Sequence, residues 1–509
     1  MAAIYSKPIA KRKGVAELEE KTAIIEKELA NSIGDYSEFT KQIKWQEVQN
    51  VLTKNEAAIE FVHYQFSDQK KSDSCIYAAL ILYNGCPQPL FIQLFDEKQL
   101  THLLSKNKVP ELISQVYTSR GIVQRKNETM QGLYDLIWKP IDSLLKGINT
   151  IYYSPSGLLH RINFDAIPIA KNTINNFANL AEKYKLVRLG STRSLEISIK
   201  TKMSSSNKAI LFGGINFNTD ISLFNLDTVN DNEFESKKEV PSYTYLAKTI
   251  KDRGSNWEYL PGTEKEIKGI SKLLKKSKFH TTELLDKYAT EEVFKLLGKI
   301  ESSPRILHIA THGFFFPDPD RTISEEGRMS HERAASEGTL PDSAQQAGEK
   351  SVIPRSKVEL QTNEPVFKIS DQPMLRSGLI LAGGNTTWQG IQTLEGKEDG
   401  ILTAYEISQM NLSNTELVVL SACETGLGDI HGNEGVYGLQ RAFKIAGAKY
   451  LMMSLWQVPD EETKEFMISF YKNWLIKKHS IPNAFRKTQQ EMRKRFEDPY
   501  KWAGFVLVE

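Results

Sequence analysis

Residues 417–426 read Leu-Val-Val-Leu-Ser-Ala-Cys-Glu-Thr-Gly, and this stretch is the most informative part of the chain about its fold. Its apolar start predicts a buried strand, and its small and polar end predicts a turn. Residues 306–313 show the same pattern, because the mostly apolar run Ile-Leu-His-Ile-Ala is followed by Thr311, His312 and Gly313. Each predicted strand therefore ends at a side chain that can take part in catalysis, Cys423 in one case and His312 in the other.

Around these two stretches, strand-like and helix-like patterns alternate along the chain. The predicted strands are Ala209–Gly213, Phe279–Leu285, Arg305–Thr311, Ser377–Leu381, Leu417–Ala422 and Tyr450–Leu455, and the predicted helices are Thr263–Lys275, Thr290–Leu297, Gly435–Ala446 and two more at the end of the chain. Such alternation predicts an α/β fold in which a mostly parallel sheet is flanked by helices.

The first 200 residues form a separate pattern. Predicted strands lie at 57–64, 75–83, 90–94, 151–153 and 186–189, and predicted helices at 14–30, 45–52 and 125–147. A small, polar stretch at 201–208 is typical of a boundary. We therefore expect an N-terminal helical segment over 1–40, one unit over 41–204 and a second unit over 205–509.

Residues 317–375 interrupt the second unit with a polar insertion loop that has no apolar period. Loops of this length are uncommon in compact domains unless they are functional or disordered. The interpretations are plain disorder, a segment that gates the cleft, and self-cleavage at Arg321, Arg328 or Arg333. We favour the first two over self-cleavage.

Bulk properties exclude several classes of protein. The chain has 509 residues, a formal charge of +2, 40% hydrophobic residues and 25% charged residues, which indicates an ordinary globular protein of more than one unit. The balanced charge argues against a nucleic-acid partner, and no apolar run is long enough to span a membrane. Three cysteines and no apolar leader favour a reducing, cytoplasmic location.

Cys423 and His312 have the chemistry of a catalytic dyad. Ligands bind in parallel sheets beyond the carboxyl ends of the strands, where both residues lie. An imidazole takes the proton of a weakly ionised thiol and later returns it to the leaving amine. The backbone N–H groups of Gly313 and Cys423 would hold the oxyanion. No cofactor is needed, and no metal site is predicted, because His308 and His312 lack the H-E-x-x-H pattern.

Many ordered motifs resemble those of CHAT-domain proteins, which are relatives of caspases, separases and gingipains. The matching segments are 308–315, 377–383, 399–404 and above all 417–456, with weaker matches at 45–49 and 154–157. His312 and Cys423 are 111 residues apart, and omitting the 59 residues of the insertion leaves 52, close to the roughly 50 residues between His and Cys in caspases. The caspase pattern Q-A-C-x-G itself is absent, so aspartate specificity is not expected.

The resemblance implies a duplicated caspase-like fold, with an inactive first half and a catalytic second half. It implies a regulated bacterial cysteine endopeptidase, in signalling or defence, that cleaves a protein substrate. Asp460, Trp456 and Glu424 are the implied substrate-binding residues, and Asp460 matches the acidic residue that reads a basic side chain in separases. Relatives often carry tetratricopeptide repeats, so these repeats are missing here or a protein partner supplies their role.

Three other interpretations stay open. Cys423 is a buried, inert thiol if His312 does not reach it, and the protein is then a catalytically silent CHAT signalling scaffold. A nucleotide-binding switch is the second alternative, although the G-x-x-x-x-G-K-[ST] pattern is absent. In the third, Asp460 is simply an acidic residue that stabilises the start of a helix.

Overall fold

The computed structural model describes residues 43–67, 73–105, 130–172, 176–198, 206–219, 256–316, 373–389, 398–421, 435–456, 458–496 and 498–509. Its strands are β1 Glu56–Ser67, β2 Asp73–Tyr83, β3 Leu90–Asp96, β4 Thr150–Ser154, β5 Pro168–Asn172, β6 Asn176–Asn179, β7 Lys185–Arg188, β8 Lys208–Ile215, β9 His280–Asp286, β10 Ile306–Ile309, β11 Gly313–Phe315, β12 Ser377–Ile380, β13 Ile401–Thr403, β14 Leu417–Leu420, β15 Tyr450–Ser454 and β16 Phe505–Val508.

The α-helices of the same ranges are α1 Trp45–Val51, α2 Glu97–Ser105, α3 Lys139–Asp142, α4 Leu180–Lys183, α5 Ser194–Ser198, α6 Pro261–Lys276, α7 Glu291–Leu296, α8 Gly384–Trp388, α9 Ala404–Ser408, α10 Gly435–Ile445, α11 Asp460–Tyr471, α12 Ile481–Arg495 and α13 Pro499–Trp502. Several starts follow from local chemistry. Thr290 caps α7 by accepting a hydrogen bond from the Val293 N–H. Pro261 is the first residue of α6, where a backbone N–H would have no partner within the helix, so proline is well tolerated there.

One large sheet joins both parts of the chain. Its eleven strands lie in the order β3-β2-β1-β4-β7-β16-β15-β14-β10-β8-β9. All neighbouring pairs are parallel except β1 with β2, β2 with β3 and β15 with β16. The central strands β10 and β14 are buried along their whole length, which explains their continuous apolar sequences.

Helices flank this sheet and complete its core. Helix α11 packs on α6 and on α12, and α9 packs on α10. Buried residues of both parts of the chain, from Ala57 to Val508, form one hydrophobic cluster. The predicted α/β fold with a large, mostly parallel sheet flanked by helices is confirmed. The division at 204/205 and the duplication of the fold stay predictions.

The short strands β5, β6, β11 and β13 were not predicted, and two further strands differ from the expected elements. Ser377–Ile380 (β12) does not join the large sheet but pairs with β11 and β13 in a small antiparallel sheet. A short buried apolar run gives no period that would tell the two sheets apart. The second difference is β16, an antiparallel strand that joins the two parts of the chain, where only helices were expected.

Several predicted segments fall partly or wholly outside the described residues, among them the start of the helix at 125–147. The helix at 14–30, with the rest of the N-terminal segment 1–40, lies outside them, and so does the insertion loop as far as residue 372. Among the residues that are described, none of the helices combines the length and the apolar character that a membrane crossing requires.

Candidate active site

The candidate site lies where three parallel strands end side by side. In the register of β10 and β14, Ile309 is paired with Leu420, and the Ser421 N–H donates to the Ile309 carbonyl at 2.9 Å. On its other side, β10 pairs with β8. The strand order from β9 to β16 runs 2-1-3-4-5-6, so chain direction across the sheet reverses between β8 and β10. Such switch points form crevices that hold ligands in α/β sheets.

His312 follows β10 at this switch point, and a backbone carbonyl fixes its ring. Its Nε2 lies 2.8 Å from the carbonyl oxygen of Glu258. A carbonyl oxygen only accepts hydrogen bonds, so Nε2 carries the proton in this contact. In the neutral ring, Nδ1 is then the basic nitrogen.

Aromatic rings pack around the imidazole. Ring centroids of Phe217 and Trp257 lie 5.1 Å and 4.8 Å from that of His312. Trp388 packs in turn on Trp257, with centroids 4.8 Å apart, and on Phe314 at 5.6 Å. These contacts restrict rotation of the imidazole and lower the local dielectric, so hydrogen bonds made there gain strength.

Asn385, in α8, holds the backbone that carries the Glu258 carbonyl. Its side chain accepts from the Trp257 N–H at 2.6 Å and donates to the Trp257 carbonyl at 2.9 Å. The same amide nitrogen donates to the Asn218 side chain at 2.8 Å. The Asn385 side chain is 2% exposed, so these bonds form in a dry environment. Asn385 thus positions the Trp257–Glu258 segment beside His312.

Gly313 begins β11, the edge strand of the small sheet. The Ile380 N–H donates to the His312 carbonyl, and the Phe316 N–H donates to the Arg376 carbonyl. Hydrogen-bonded and non-bonded pairs alternate in antiparallel ladders, so the pair of Gly313 and Leu379 is a non-bonded one. The Gly313 N–H therefore points away from β12.

Cys423 and Glu424 lie outside the described residues, which stop at Ser421 and resume at Gly435 in this region. The structure does describe β14, the strand that precedes them. His312 follows Ile309 by three residues, and Cys423 follows Leu420, the partner of Ile309, by the same number.

Asp460 is the first residue of α11, and its carboxylate lies against the start of α6. A Cβ atom added to Gly262 would lie 3.0 Å from the Asp460 Oδ2 atom. Asp460 follows β15, which runs parallel to β14 and β10, so it lies at the same edge of the sheet as His312. Burial raises the pKa of Asp460, and the carboxylates of Glu266 and Glu461 raise it further. A cationic partner would reverse this effect.

Trp456 is more deeply buried than we expect of a residue that contacts the substrate. Its side chain is 1% exposed and its Nε1–H donates to the Tyr500 carbonyl at 2.9 Å. The ring also stacks on Tyr500 with centroids 6.3 Å apart. In the structure Trp456 is a core residue below the strand end, and its contact with substrate stays a prediction.

Within the described ranges, Glu291, Glu398 and Glu406 are the carboxylates close enough to share a metal ion. The Lys295 ammonium lies among them, at 2.6 Å from Glu291, 2.6 Å from Glu398 and 2.7 Å from Glu406. Glu291 also accepts from the Gly400 N–H at 2.8 Å. The group is therefore an ion-pair network that fixes the chain around Gly400.

Sequence reasoning missed two contributors to the site. The Glu258 carbonyl belongs to the backbone, so the residue type gives no signal for it. Asn385 follows Gly383 and Gly384, and such a sequence is typical of a turn. A buried role for Asn385 becomes visible only when its partners Trp257 and Asn218 are in place.

Two curated relatives match part of the chain. Tetratricopeptide repeat protein 28 of Mus musculus is 29% identical over 256 residues, which are 50% of this chain and 9% of that protein. Tetratricopeptide repeat protein 28 of Homo sapiens is 34% identical over 111 residues, 21% of this chain and 4% of that protein. The chain thus spans less than a tenth of the length of these relatives.

The solved structures that the chain matches include the following two. The Arg-specific cysteine proteinase gingipain R matches with a TM-score of 0.35 and 8% identity, covering 81% of this chain and 74% of that one. The Saccharomyces cerevisiae separase–securin complex matches with a TM-score of 0.41 and 9% identity, covering 91% of this chain and 30% of that one.

The sequence model of one family matches most of the chain. It is described as CHAT domain and covers residues 127–509, which include every strand from β4 to β16. That span also contains His312, Asn385 and the Glu258 carbonyl. The chain therefore belongs to the CHAT domain family.

Proposed function

We propose that this protein is a cysteine endopeptidase in which His312 is the general base and Cys423 the nucleophile. One observation carries the proposal: the parallel pairing of Ile309 with Leu420. Adjacent parallel strands lie about 4.8 Å apart, and each candidate residue follows its strand by three positions. Short turns that leave the sheet on the same side would bring the thiol next to the imidazole.

The orientation of His312 suits the role of a base. With Nε2–H donated to Glu258, the Nδ1 lone pair accepts the thiol proton. The resulting imidazolium keeps its bond to the carbonyl, which becomes a stronger, charge-assisted hydrogen bond. The thiolate attacks the scissile carbonyl carbon, and the imidazolium then gives its proton to the leaving amine.

Gly313 supports the second part of the mechanism. Its N–H is not used by the ladder with β12, and it follows the base directly in the chain. In our proposal this N–H and that of Cys423 stabilise the negative oxygen of the tetrahedral intermediate. Water then releases the acyl group from Cys423, with His312 again acting as base.

Asp460 is our candidate for recognition of a basic side chain of the substrate. Its carboxylate lies at the same edge as His312, and its raised pKa means that a cationic ligand would gain from pairing with it. Glu424 and Trp456 complete the proposed set of substrate-binding residues. The matches to tetratricopeptide repeat proteins favour regulation by a protein partner. The resemblance to CHAT-domain proteins leads us to propose, in addition, a bacterial signalling or defence role.

A thiol-reactive peptide probe tests the nucleophile without knowledge of the substrate. We expect it to label the parent and to lose labelling in Cys423→Ala. Cys75→Ala and Cys86→Ala are matched controls, because Cys75 is half-buried and the buried Cys86 sulfur lies 3.1 Å from the Gln49 Nε2 atom. Both controls should label like the parent. Equal labelling of Cys423→Ala, or label recovered on Cys75, would contradict the assignment and favour the silent scaffold.

A further inference from the structure

The large sheet has a second switch point, at the edge opposite to His312. In the order β3-β2-β1-β4-β7, the chain proceeds from β1 to β3 on one side and from β4 to β7 on the other, so its progression reverses between β1 and β4. These two strands are parallel, and their carboxyl ends lie at one edge. That edge is opposite to the one with His312, because β16 is parallel to β7 but antiparallel to β15. A switch point favours a crevice for a ligand here as well.

A serine and a histidine meet at this switch point. Ser156 lies two residues beyond the end of β4, and His63 lies in the part of β1 that extends past its pairing with β4. The Ser156 Oγ atom is 2.6 Å from the His63 Nδ1 atom, and both residues are half-buried. When Nε2 carries the proton of the neutral ring, Nδ1 accepts the hydroxyl proton of Ser156. A serine nucleophile makes the same contact with its base.

Tyr77 of β2 holds both members of this pair. Its ring stacks on that of His63 with centroids 5.5 Å apart, and its hydroxyl accepts from the Leu158 N–H at 2.9 Å. Gly157 allows this close approach, because its φ is +54° and a Cβ atom there would collide with the Tyr77 hydroxyl. The turn that carries Ser156 is therefore fixed beside the imidazole.

The surroundings of His63 suit a base. Burial lowers the pKa of His63, and the carboxylate of Glu97 opposes this effect. Glu97 is held in turn by the Tyr77 hydroxyl, which donates to it at 2.8 Å. The pKa of the neighbouring His160 is lowered by burial and by the charges of Arg188 and His63. At neutral pH the imidazole of His63 is therefore in the uncharged form that can take a proton.

We propose that Ser156 and His63 form a second nucleophilic site, which cleaves carboxylic esters. The Ser156 oxygen attacks the ester carbonyl carbon while its proton passes to Nδ1 of His63. The ester C–O bond then breaks, and the imidazolium gives the proton to the leaving alkoxide, which departs as an alcohol. Water releases the acyl group as a carboxylic acid by the same steps. An alkoxide leaves more easily than an amine, so an ester suits a site of two residues, and this activity is independent of the proposed peptidase activity.

A fluorophosphonate reporter tests the nucleophile in the full chain. We expect an Oγ–P bond to form at Ser156 as fluoride leaves, and peptide mass spectrometry locates the adduct. Ser156→Ala should lose this label, and His63→Gln should lower the labelling rate by about 10²- to 10⁴-fold. Ser154→Ala is the matched control, because Ser154 is 2% exposed and donates to the Gly190 carbonyl at 3.2 Å, and it should label like the parent. No adduct on Ser156 in the parent, or an equal rate in His63→Gln, would overturn the proposal.

Turnover of a simple ester tests the substrate class. After reactive thiols are blocked with iodoacetamide, the parent should hydrolyse p-nitrophenyl acetate about 10²-fold faster than Ser156→Ala or His63→Gln. His102→Ala is the control, since His102 is exposed in α2 of the same part of the chain, and it should keep the rate of the parent. Equal hydrolysis by the parent and Ser156→Ala would overturn the assignment of ester cleavage to this site.

Discussion

His312→Ala should lower the second-order rate constant for modification of Cys423 by a peptide electrophile by about 10²- to 10⁴-fold. Without the imidazole, only the small thiolate fraction of an ordinary cysteine reacts at neutral pH. The rate should also follow the ionisation of a free thiol, so the pH profile moves toward about 8.5. Stopped-flow or mass-spectrometric labelling from pH 6 to 9 measures both effects.

His280→Ala is the control for this experiment. His280 is exposed at the start of β9 and lies in the same half of the chain, so its replacement should leave the rate and its pH profile unchanged. If His312→Ala kept the labelling rate of the parent, His312 would not be the base, and the dyad would have to be abandoned.

Asn385→Ala should lower the same rate constant by about 10- to 100-fold, although Asn385 does not touch the thiol in our account. The substitution removes both hydrogen bonds to Trp257 and so releases the Glu258 carbonyl that orients Nε2 of His312. With the ring free to turn, Nδ1 faces the thiol for only part of the time. The pH profile should therefore shift in the direction seen for His312→Ala, by a smaller amount.

Two further variants separate positioning from general stability. Asn385→Asp keeps the shape and the acceptor for the Trp257 N–H but cannot donate to the Trp257 carbonyl, so it should fail like alanine. Thr387→Val in the same helix removes a 2.9 Å bond to the Asp399 carbonyl and should lower stability by about 1 kcal/mol without a change in the pH profile. If the pH profile of Thr387→Val shifted as far as that of Asn385→Ala, Asn385 would act only through stability.

Much of the fold could be predicted because its main strands are buried on both faces. Ile306–Ile309 and Leu417–Leu420 are apolar at nearly every position. Such short apolar runs are typical of strands buried in a parallel sheet. The assignment of Ser377–Ile380 to the large sheet was wrong. Its neighbours β11 and β13 depend on where the chain reverses direction, which the local apolar pattern does not indicate. The strand Phe505–Val508 was missed for a related reason, since its neighbour β7 lies more than 300 residues away.

The candidate site also has residues that could be predicted from the sequence and residues that could not. His312 and Gly313 could be predicted from the strand that precedes them, and the structure locates both at the switch point of the sheet. The groups that orient His312 could not, because the carbonyl of Glu258 and the side chain of Asn385 act through backbone atoms from distant segments. Residue type signals chemistry, whereas orientation depends on which segments the fold brings together.

A crystal structure of the parent protein trapped by a peptide electrophile is the sharpest test of the proposed pairing of Cys423 with His312. Our account predicts a covalent bond from the probe to Cys423 Sγ, with Nδ1 of His312 facing that sulfur within hydrogen-bond reach and Nε2 still on the Glu258 carbonyl. An adduct whose sulfur lies beyond reach of the imidazole, or one formed at another residue, would contradict it.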